Sequence, residues 1–393
     1  MTAWPSYDVS ALRAARSKRV TDFMRSGGLD HLLLTGFDTI RYAIDARFQI
    51  ISEGSDWFVA LVDGSGEGEV FVPWVDEDVV GPDPDAPAVR ATHPLPSWAP
   101  AVAQVEYWSG AVAGALARLG ARKVGFELVD ATLLAALRAR LPEVEFVGVA
   151  RELYDLRAIK FPAEVALLEA SSLVNCAAAD AAIDGARAGM TDYDVLSLAM
   201  ASLQAAGVEY LTHSLCNIRR GSGTWFAVGQ TLREGDAFFF DIGCYGRGGY
   251  ASDIARVGFV GEPPAVVSRA WRTLLDAHRV GEEAARPGAR VADIHAAINE
   301  YLRRQGLPIT PYGTGHGIGL RACEPPTITR RDRTSRDETL VEGMTIALEP
   351  ETHVVIDGVS ILLKVEDNYV VESDGLRRLT TAPRLMPTSA IAR

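Results

Sequence analysis

A single histidine flanked by glycines lies in the stretch GTGHGIGLRACEPP, residues 313–326, and acidic residues interrupt apolar runs elsewhere in the chain. Because a buried carboxylate without a partner costs several kcal/mol, such acids are expected to face cations or donors. Each acid taken alone is explained by a strand end that caps a turn or pairs with an arginine. Taken together, the carboxylates and one imidazole form a hard donor set that suits a pair of divalent first-row ions. The five residues are Asp241, Asp253, His316, Glu349 and Glu366.

The acids fall on runs whose composition predicts β-strands. GDAFFFDIG (235–243) and GYASDIARVGFVG (249–261) indicate two strands joined by the glycine-rich turn CYGRGG. GMTIALEPETHVV (343–355) and SILLKVEDNYVVESDG (360–375) are two further strand-like runs, separated by a turn at an Asp-Gly pair. Each of these four runs therefore carries one of the candidate carboxylate ligands.

Helical patterns surround these strands. Pro162 begins a long apolar run, and Thr191 with Asp194 three residues later forms a capping box for the next helix. Two more helices are predicted for residues 264–285 and 290–306. The second part of the chain is therefore predicted to be α+β, with helices first and acid-bearing strands after them.

The first part of the chain has a different texture. Up to about residue 150, apolar runs such as DHLLLTGF and GEVFVPWV alternate with helical stretches, which is typical of an α/β unit. The change of pattern near ARELYDLRAIKF (150–161) marks the predicted boundary. We predict an α/β domain over residues 1–155 and an α+β domain over residues 156–393.

Composition limits the classes of partner. The chain has 393 residues, 48% of them hydrophobic, and a formal net charge of −12, so its field repels nucleic acid and anionic membranes. No window of about 18 uninterrupted apolar residues is present, and the start lacks an apolar core of signal-peptide length. The four cysteines are far apart and form no CxxC pair, which is typical of reduced thiols. We therefore expect a cytoplasmic protein without nucleic-acid or membrane partners.

The five candidate ligands lie in motifs that resemble those of the pita-bread metalloenzymes, the peptidase M24 family of aminopeptidase P, prolidase and creatinase. The resemblance covers most of residues 155–380 and extends more weakly into the first part through DTIRYAIDAR. It implies a pita-bread catalytic domain after a smaller α/β creatinase-type domain, and a homodimer. The matching motifs are Asp241-Ile-Gly, Ser-Asp253-Ile-Ala-Arg256, Gly-His316-Gly-Ile-Gly, Leu-Glu349-Pro and Val-Glu366-Asp.

The resemblance also implies how the ligands are shared between two divalent ions, whether Mn, Zn, Co or Fe. Asp241 would hold one ion through both oxygens, Asp253 and Glu366 would bridge, and His316 with Glu349 would hold the second ion. A metal-bridging hydroxide would be the nucleophile, and a dipeptide or small amide of the Xaa-Pro type the substrate. The glycines around His316 are expected to let the backbone pass close to the metal pair.

The residues around this ligand set depart from the family pattern. Cys323 and Thr224 stand where the peptidases carry histidines, and Lys364 stands where they carry an arginine. Cys323 is expected to be a small buried residue, or alternatively a thiolate nucleophile that would need a nearby base. His213 and His353 are the remaining histidine candidates for proton transfer. The candidate catalytic residues are His213, Cys323, His353 and Glu349.

Two other functions stay open at this point. The longer spacing between Asp241 and Asp253, with Trp225-Phe226 upstream, resembles a branch of the fold that includes a dimethylsulfoniopropionate lyase. That branch has an extra acid two residues after the first Asp, where this chain has Gly243. A lyase acting on a small zwitterion is therefore the alternative to a hydrolase. A non-catalytic binding protein is less expected, because a metal-free scaffold has no physical reason to retain paired buried acids.

Overall fold

The computed structural model describes residues 4–47, 58–73, 86–95, 101–218, 225–334 and 338–384, with the side chains of 101–103 left undescribed. The chain divides into two compact units between residues 157 and 158. The described residues before Asp8 belong to the second unit, where the indole Nε1 of Trp4 donates to the carbonyl of Ala206 at 3.0 Å. The domain limits of 1–155 and 156–393 stay a prediction.

The first unit is built on one six-stranded mixed sheet with the strand order β4-β3-β2-β1-β5-β6. Its core packs apolar strand residues such as Leu33 and Val124 against Trp108 and Leu116 of a long helix. The α/β character expected for this part is therefore present. Its elements are α1 Val9–Gly27, β1 His31–Leu34, α2 Phe37–Ile44, β2 Val59–Asp63, β3 Gly68–Pro73, β4 Val89–Leu95, α3 Ala101–Arg118, β5 Lys123–Phe126, α4 Ala131–Arg140, β6 Glu145–Gly148 and α5 Ala150–Ala158.

The second unit contains three sheets covered by two pairs of helices. The sheets have the strand orders β7-β8-β9, β11-β10-β12-β15-β16 and β13-β14. The elements are α6 Pro162–Gly185, α7 Asp192–Ala205, β7 Tyr210–Asn217, β8 Ala237–Tyr245, β9 Ala251–Phe259, α8 Ala265–Ala284, α9 Val291–Arg304, β10 Gly313–Gly317, β11 Glu324–Thr329, β12 Thr345–Leu348, β13 Glu351–Ile356, β14 Val359–Lys364, β15 Asp367–Glu372 and β16 Gly375–Arg378.

Alternation along β8 separates two cores. Phe238 and Phe240 belong to the cluster shared with α6 and α7, whereas Phe239 belongs to the cluster shared with α8 and α9. Because strand side chains point to opposite faces in turn, Asp241 lies on the same face as Phe239. The three phenylalanines therefore contribute to both cores. The face of β8 that carries Phe239 continues with the carboxylate of Asp241.

The helix ends follow the predicted local signals. Pro162 occupies the first turn of α6, and Thr191 caps α7 while the Asp194 side chain accepts from the Thr191 backbone amide at 2.8 Å. These reciprocal hydrogen bonds satisfy amide groups that the first turn of a helix leaves unpaired. The predicted α6, α7, α8 and α9 are confirmed.

Two predicted strands are each divided in two. The run 343–355 forms β12 and β13, with Glu349 and Pro350 between them, and the run 360–375 forms β14 and β15 with Glu366 at the break. The chain leaves the five-stranded sheet for the β13-β14 hairpin at one break and returns to it at the other. Both breaks therefore coincide with candidate ligands.

Helix α6 is long and apolar enough to cross a membrane by length and composition alone. However, 61% of its most apolar window is buried within the protein, where it packs in the core beneath β8 and β9. Acidic residues such as Glu169 and Asp180 interrupt this helix, so it is not the uninterrupted apolar window that the sequence analysis excluded. The absence of a membrane partner stays a prediction.

Candidate metal centre

The β8-β9 hairpin places two carboxylates on one face. Asp241 pairs with Ala255 and Gly243 pairs with Asp253, so the two acids are diagonal neighbours. Diagonal residues on one face of an antiparallel pair lie within reach of a common ligand. Both acids are buried, each with 3% of its surface exposed. The spacing of twelve residues thus brings Asp241 and Asp253 together.

His316 lies on β10, and its neighbouring glycines are packed tightly against the adjacent strands. A Cβ at position 315 would lie 2.2 Å from the carbonyl oxygen of Ala347, and one at position 317 would lie 2.2 Å from that of Pro325. These contacts come from the adjacent strands β12 and β11. The glycines therefore allow neighbouring backbones to approach closely, and their expected role beside a metal pair stays a prediction.

Glu349 and Glu366 join the set from the two strand breaks. Leu348 pairs with Asp367 across β12 and β15, so continuing that register by one pair sets Glu349 opposite Glu366. The backbone amide of Glu366 donates to the carbonyl of Ala255 at 3.0 Å, which ties the break to β9. Like charges directly opposite each other are destabilising unless a cation lies between them.

The atoms of this set are spaced for an ion. His316 Nε2 lies 3.6 Å from Glu366 Oε1, 3.8 Å from Glu349 Oε1 and 3.9 Å from Asp253 Oδ2. These gaps exceed hydrogen-bond length but match the separation of neighbouring ligands that each lie about 2.1 Å from one ion. Both carboxylate oxygens of Glu366 are buried without a hydrogen-bond partner among the described residues. The donor set therefore fits a divalent metal.

The pKa values of the carboxylates also indicate a site that suits a cation. Burial, reinforced by the nearby charge of Asp253, raises the pKa of Glu366 to about 8. Burial likewise raises the pKa of Asp253. These raised pKa values express the cost of gathering buried negative charge, which a bound cation would remove.

Lys364 lies inside the site, in contact with the candidate ligands. Its Nζ is 2.5 Å from Asp241 Oδ2, 2.8 Å from Glu349 Oε2 and 3.7 Å from Glu366 Oε2. Burial opposes the charged form, but Asp241 and Glu349 outweigh it and raise the pKa of Lys364 well above its usual value. The signal in the sequence was the spacing of two residues to Glu366, which places both side chains on one face of an extended chain.

Asp241 is consequently engaged on both sides. Burial acts to raise its pKa, yet Lys364 and His213 hold the pKa of this carboxyl well below its usual range. Oδ2 accepts from Lys364, while Oδ1 lies 2.9 Å from His213 Nε2. Lys364 therefore competes for Oδ2, and the expectation that Asp241 offers both oxygens to one ion stays a prediction.

His213 reaches the site from β7. Its Nε2 is 2.9 Å from Asp241 Oδ1 and 3.1 Å from Asp253 Oδ1, and its Nδ1 is 2.9 Å from Thr212 Oγ1. Although burial acts in the opposite direction, Asp253 and Asp241 raise the pKa of His213 to about 11. The imidazole is thus in direct contact with two of the five candidate ligands.

The other candidate catalytic residues differ in how close they lie to the ligand set. Cys323 is exposed, so the expectation of a small buried residue was wrong, and its Sγ lies near His316 and Asp253. His353 is an exposed residue of β13, and the described residues show no contact between it and the ligand set. Thr224 lies outside the described residues. The catalytic roles of Cys323, His353 and Glu349 stay predictions.

Arg256 supports the backbone of the site rather than the Asp253 carboxylate. Its fully buried guanidinium donates to the backbone carbonyl of Glu366 at 2.6 Å and to the Asp367 carboxylate at 2.7 Å. The Asp253 backbone is instead held by Asn368, which accepts from the Asp253 amide at 3.1 Å and donates to its carbonyl at 2.7 Å. Arg256 and Asn368 therefore fix the backbone at Glu366 and Asp253.

Comparison with known proteins decides the family. Residues 166–373 match the metallopeptidase family M24, and this span is more than half of the 393-residue chain. The chain belongs to metallopeptidase family M24. Residues 16–159 match the creatinase/prolidase N-terminal domain. The resemblance drawn from the motifs and the predicted fold class are confirmed, and as an M24 member the chain is a metal-dependent hydrolase.

Relatives of this M24 protein include an Xaa-Pro dipeptidase from Pyrococcus furiosus, which is 28% identical over 246 residues, 61% of this chain and 68% of the relative. The chain spans about two thirds of the length of the first curated relatives it matches. An X-Pro aminopeptidase structure from Thermotoga maritima superposes with a TM-score of 0.78 at 19% identity, covering 94% of this chain and 98% of that one. An Xaa-Pro dipeptidase structure from Bacillus anthracis gives a TM-score of 0.75 at 22% identity, covering 95% and 99%.

Proposed function

We propose that this protein is a dinuclear metal-dependent peptidase that cleaves a dipeptide or a small amide of the Xaa-Pro type. The proposal is supported above all by Glu366, whose two buried oxygens have no hydrogen-bond partner among the described residues and whose Oε1 lies 3.6 Å from His316 Nε2. The names of its relatives, an Xaa-Pro dipeptidase and an X-Pro aminopeptidase, agree with this substrate class. Asp241, Asp253, His316, Glu349 and Glu366 would hold the ions.

When bound, two divalent ions would supply Lewis acidity and would lower the pKa of water in the site. The chain's own groups prepare this centre. Lys364 donates to Asp241 and lies 2.8 Å from Glu349 Oε2, so it holds two ligands of the set in a fixed relative position. Its single positive charge also reduces the net negative charge that the ions must balance.

An aromatic surface beside the centre suits an apolar substrate residue. The Trp225 ring lies 5.6 Å from that of Tyr312, and Lys364 Nζ is 5.5 Å from the Trp225 ring centroid. Such a surface would pack a proline ring or another apolar side chain, since aromatic faces provide a large contact area. Cys323 is the exposed candidate for assisting substrate binding and proton transfer beside His316.

The structure gives a reason to prefer hydrolysis to elimination. A Cβ at position 243 would lie 2.0 Å from Thr212 Oγ1 and 3.0 Å from His213 Cε1. An acidic side chain at this position, as in the lyase branch, would therefore have no room. The proposed reaction is amide hydrolysis, in which one atom of oxygen from water enters the new carboxylate.

The test is to incubate the Mn²⁺- or Co²⁺-loaded protein with Xaa-Pro dipeptides in heavy-oxygen water and to weigh the products. Hydrolysis predicts one heavy oxygen in the released amino acid, whereas elimination leaves an alkene without added oxygen. The Asp253→Ala variant serves as the control for contaminating peptidases, because loss of a shared ligand should abolish the product. Unlabelled products from the wild type would contradict the proposed function.

We also propose that the protein acts as a cytoplasmic homodimer. The four cysteines form no disulfide, which supports a reducing compartment. Dimerisation follows only from the family resemblance and is checked by light scattering on the metal-loaded protein.

A further inference from the structure

Strand β7 carries an irregularity beside the metal centre. Leu211 pairs with Cys244 and Ser214 pairs with Ile242, so Thr212 and His213 together oppose the single residue Gly243. This two-against-one pairing is a β-bulge, which bends a strand and redirects its side chains. The bulge turns the His213 ring toward the carboxylates of β8 and β9.

Gly243, the residue opposite the bulge, has no side chain that could collide with it. A Cβ on Gly243 would lie 2.0 Å from Thr212 Oγ1, 3.0 Å from His213 Cε1 and 3.0 Å from the carbonyl oxygen of Ser252. Since real Cβ contacts are not this close, glycine at 243 is what leaves space for the redirected imidazole. Three residues on two strands thus cooperate to bring one ring nitrogen into the site.

The other ring nitrogen is already held. His213 Nδ1 lies 2.9 Å from the hydroxyl of Thr212, and the hydroxyl oxygen can accept a hydrogen bond from Nδ1–H. Without metal, the Nε2 proton lies between Oδ1 of Asp241 and Oδ1 of Asp253; when a metal ion displaces that proton, the Nε2 lone pair faces the same two oxygens. Three lone-pair donors then converge, and such a cluster requires a cation. Anchoring of the distal nitrogen by a neighbouring group is the usual arrangement of a metal-bound histidine.

Lys364 makes room for a further donor beside Asp241. Because Oδ2 of Asp241 accepts from Lys364, Oδ1 is the oxygen that would be free of competition from the lysine when an ion is bound. A nitrogen donor at His213 Nε2 would add to the ligands that Asp241 and Asp253 offer. The separations of 2.9 and 3.1 Å from Nε2 to the two oxygens match neighbouring ligands about 2.1 Å from a common ion.

We propose that His213 Nε2 is a ligand of the metal ion that Asp241 and Asp253 hold, which makes His213 a sixth protein ligand of the centre. This inference rests on the proposed metal-dependent function. Each of the two ions then has one imidazole, from His213 or His316. Imidazole ligands suit zinc, iron and cobalt better than magnesium or calcium, so the centre is expected to select a transition metal.

The test is a Co²⁺ titration of the metal-free wild type and of His213→Ala, followed by calorimetry and by visible absorption. The wild type should bind two Co²⁺ ions. The variant should bind one with unchanged affinity and the other at least tenfold more weakly, with altered visible bands, because loss of even an outer contact costs about 10–100-fold. His213→Gln, which retains a polar group of similar length, guards against a folding defect.

His93→Ala is the matched control. His93 Nε2 also lies 2.8 Å from a carboxylate oxygen, that of Glu69, but it belongs to the first unit and should leave Co²⁺ binding unchanged. Two bound ions with unchanged affinities and bands in both His213 variants would overturn the inference and leave the proposed function intact. A proton shuttle would give that result together with slower turnover. A wild type that binds no Co²⁺ would overturn the proposed function as well.

Discussion

Lys364 Nζ lies 2.5 Å from Asp241 Oδ2, and the two side chains are almost completely buried. The ammonium therefore occupies one side of a carboxylate that the family motif assigns wholly to metal. Its second contact, at 2.8 Å to Glu349 Oε2, connects a residue of β8 with the break between β12 and β13. The fixed cation and the proposed metal ions would consequently share the same set of acids.

Replacing this cation should make folding more dependent on metal. Lys364→Met leaves Asp241 buried without its partner, and loss of one member of a buried ion pair costs about 3–5 kcal/mol. We expect the free energy of unfolding to fall by that amount in a chelator, and by less at saturating Co²⁺. Urea denaturation under both conditions measures the difference.

Lys364→Arg is the conservative control, since guanidinium retains the charge and can donate to both acids. It should remain within about 1–2 kcal/mol of the wild type in chelator. Equal losses in Lys364→Met with and without Co²⁺ would show that the lysine is only a packing element and that its charge does not compete with metal.

Gly243→Ala should disturb the histidine that β7 presents. The added methyl group would overlap Thr212 Oγ1 at 2.0 Å, so the bulge and the His213 ring must shift. We expect a loss of about 1–3 kcal/mol in stability and weaker binding of one Co²⁺ ion. Gly110→Ala in helix α3 is the matched control, because a Cβ there meets no atom within 4 Å. Unchanged Co²⁺ binding in Gly243→Ala would contradict the tight packing around the bulge.

Cys323→His should improve cleavage of Xaa-Pro dipeptides. The thiol is exposed beside His316 in a slot where the resembling peptidases carry histidine. A positioned general acid typically contributes about 10²–10⁴-fold, so we expect kcat/KM to rise at least tenfold. Steady-state kinetics on a proline dipeptide provide the measurement. A wild type already as fast as ordinary prolidases would show that another group supplies the proton.

Acid should weaken the fold partly through His278. Burial, with a smaller effect of Arg384, lowers the pKa of His278 from 6.5 to about 4. The unfolded chain therefore binds a proton that the folded chain excludes, so this stability is complete above pH 6.5 and is lost as pH falls toward 4. We expect a contribution of about 2–3 kcal/mol between pH 7.5 and 4.5.

His278→Gln isolates this contribution, since its amide can donate to the Leu348 carbonyl, which lies 3.1 Å from His278 Nε2. The free energy of unfolding of the variant should decline less steeply over the same pH interval. Parallel pH profiles for the two proteins would indicate that His278 is protonated equally in the folded and unfolded states.

Much of the fold follows from local signals. Pro162 and the Thr191–Asp194 pair locate helix starts, and the alternating Phe-Phe-Phe-Asp run identifies β8. The breaks at Glu349 and Glu366 were not predictable in the same way. Strand-like residues lie on both sides of each break, and only the pairing with other strands decides where each run leaves one sheet for another.

The ligand set was identified from motif order, but its surroundings depend on tertiary geometry. The contact of Lys364 with Asp241 joins residues 123 positions apart. The place of His213 depends on a one-residue bulge in β7, which no local pattern marks. Cys323 was expected to be buried from its residue type, whereas its exposure is set by how the segment before β11 turns.

Metal content is the most direct test of the central claim, that this chain holds a dinuclear metal centre through Asp253 and its partners. Protein loaded with Co²⁺ and gently dialysed should contain two ions per chain by elemental analysis. Asp253→Ala removes a carboxylate that contacts both His213 and His316, so it should retain one ion or none. A metal-free wild type, or two ions retained in Asp253→Ala, would contradict the account.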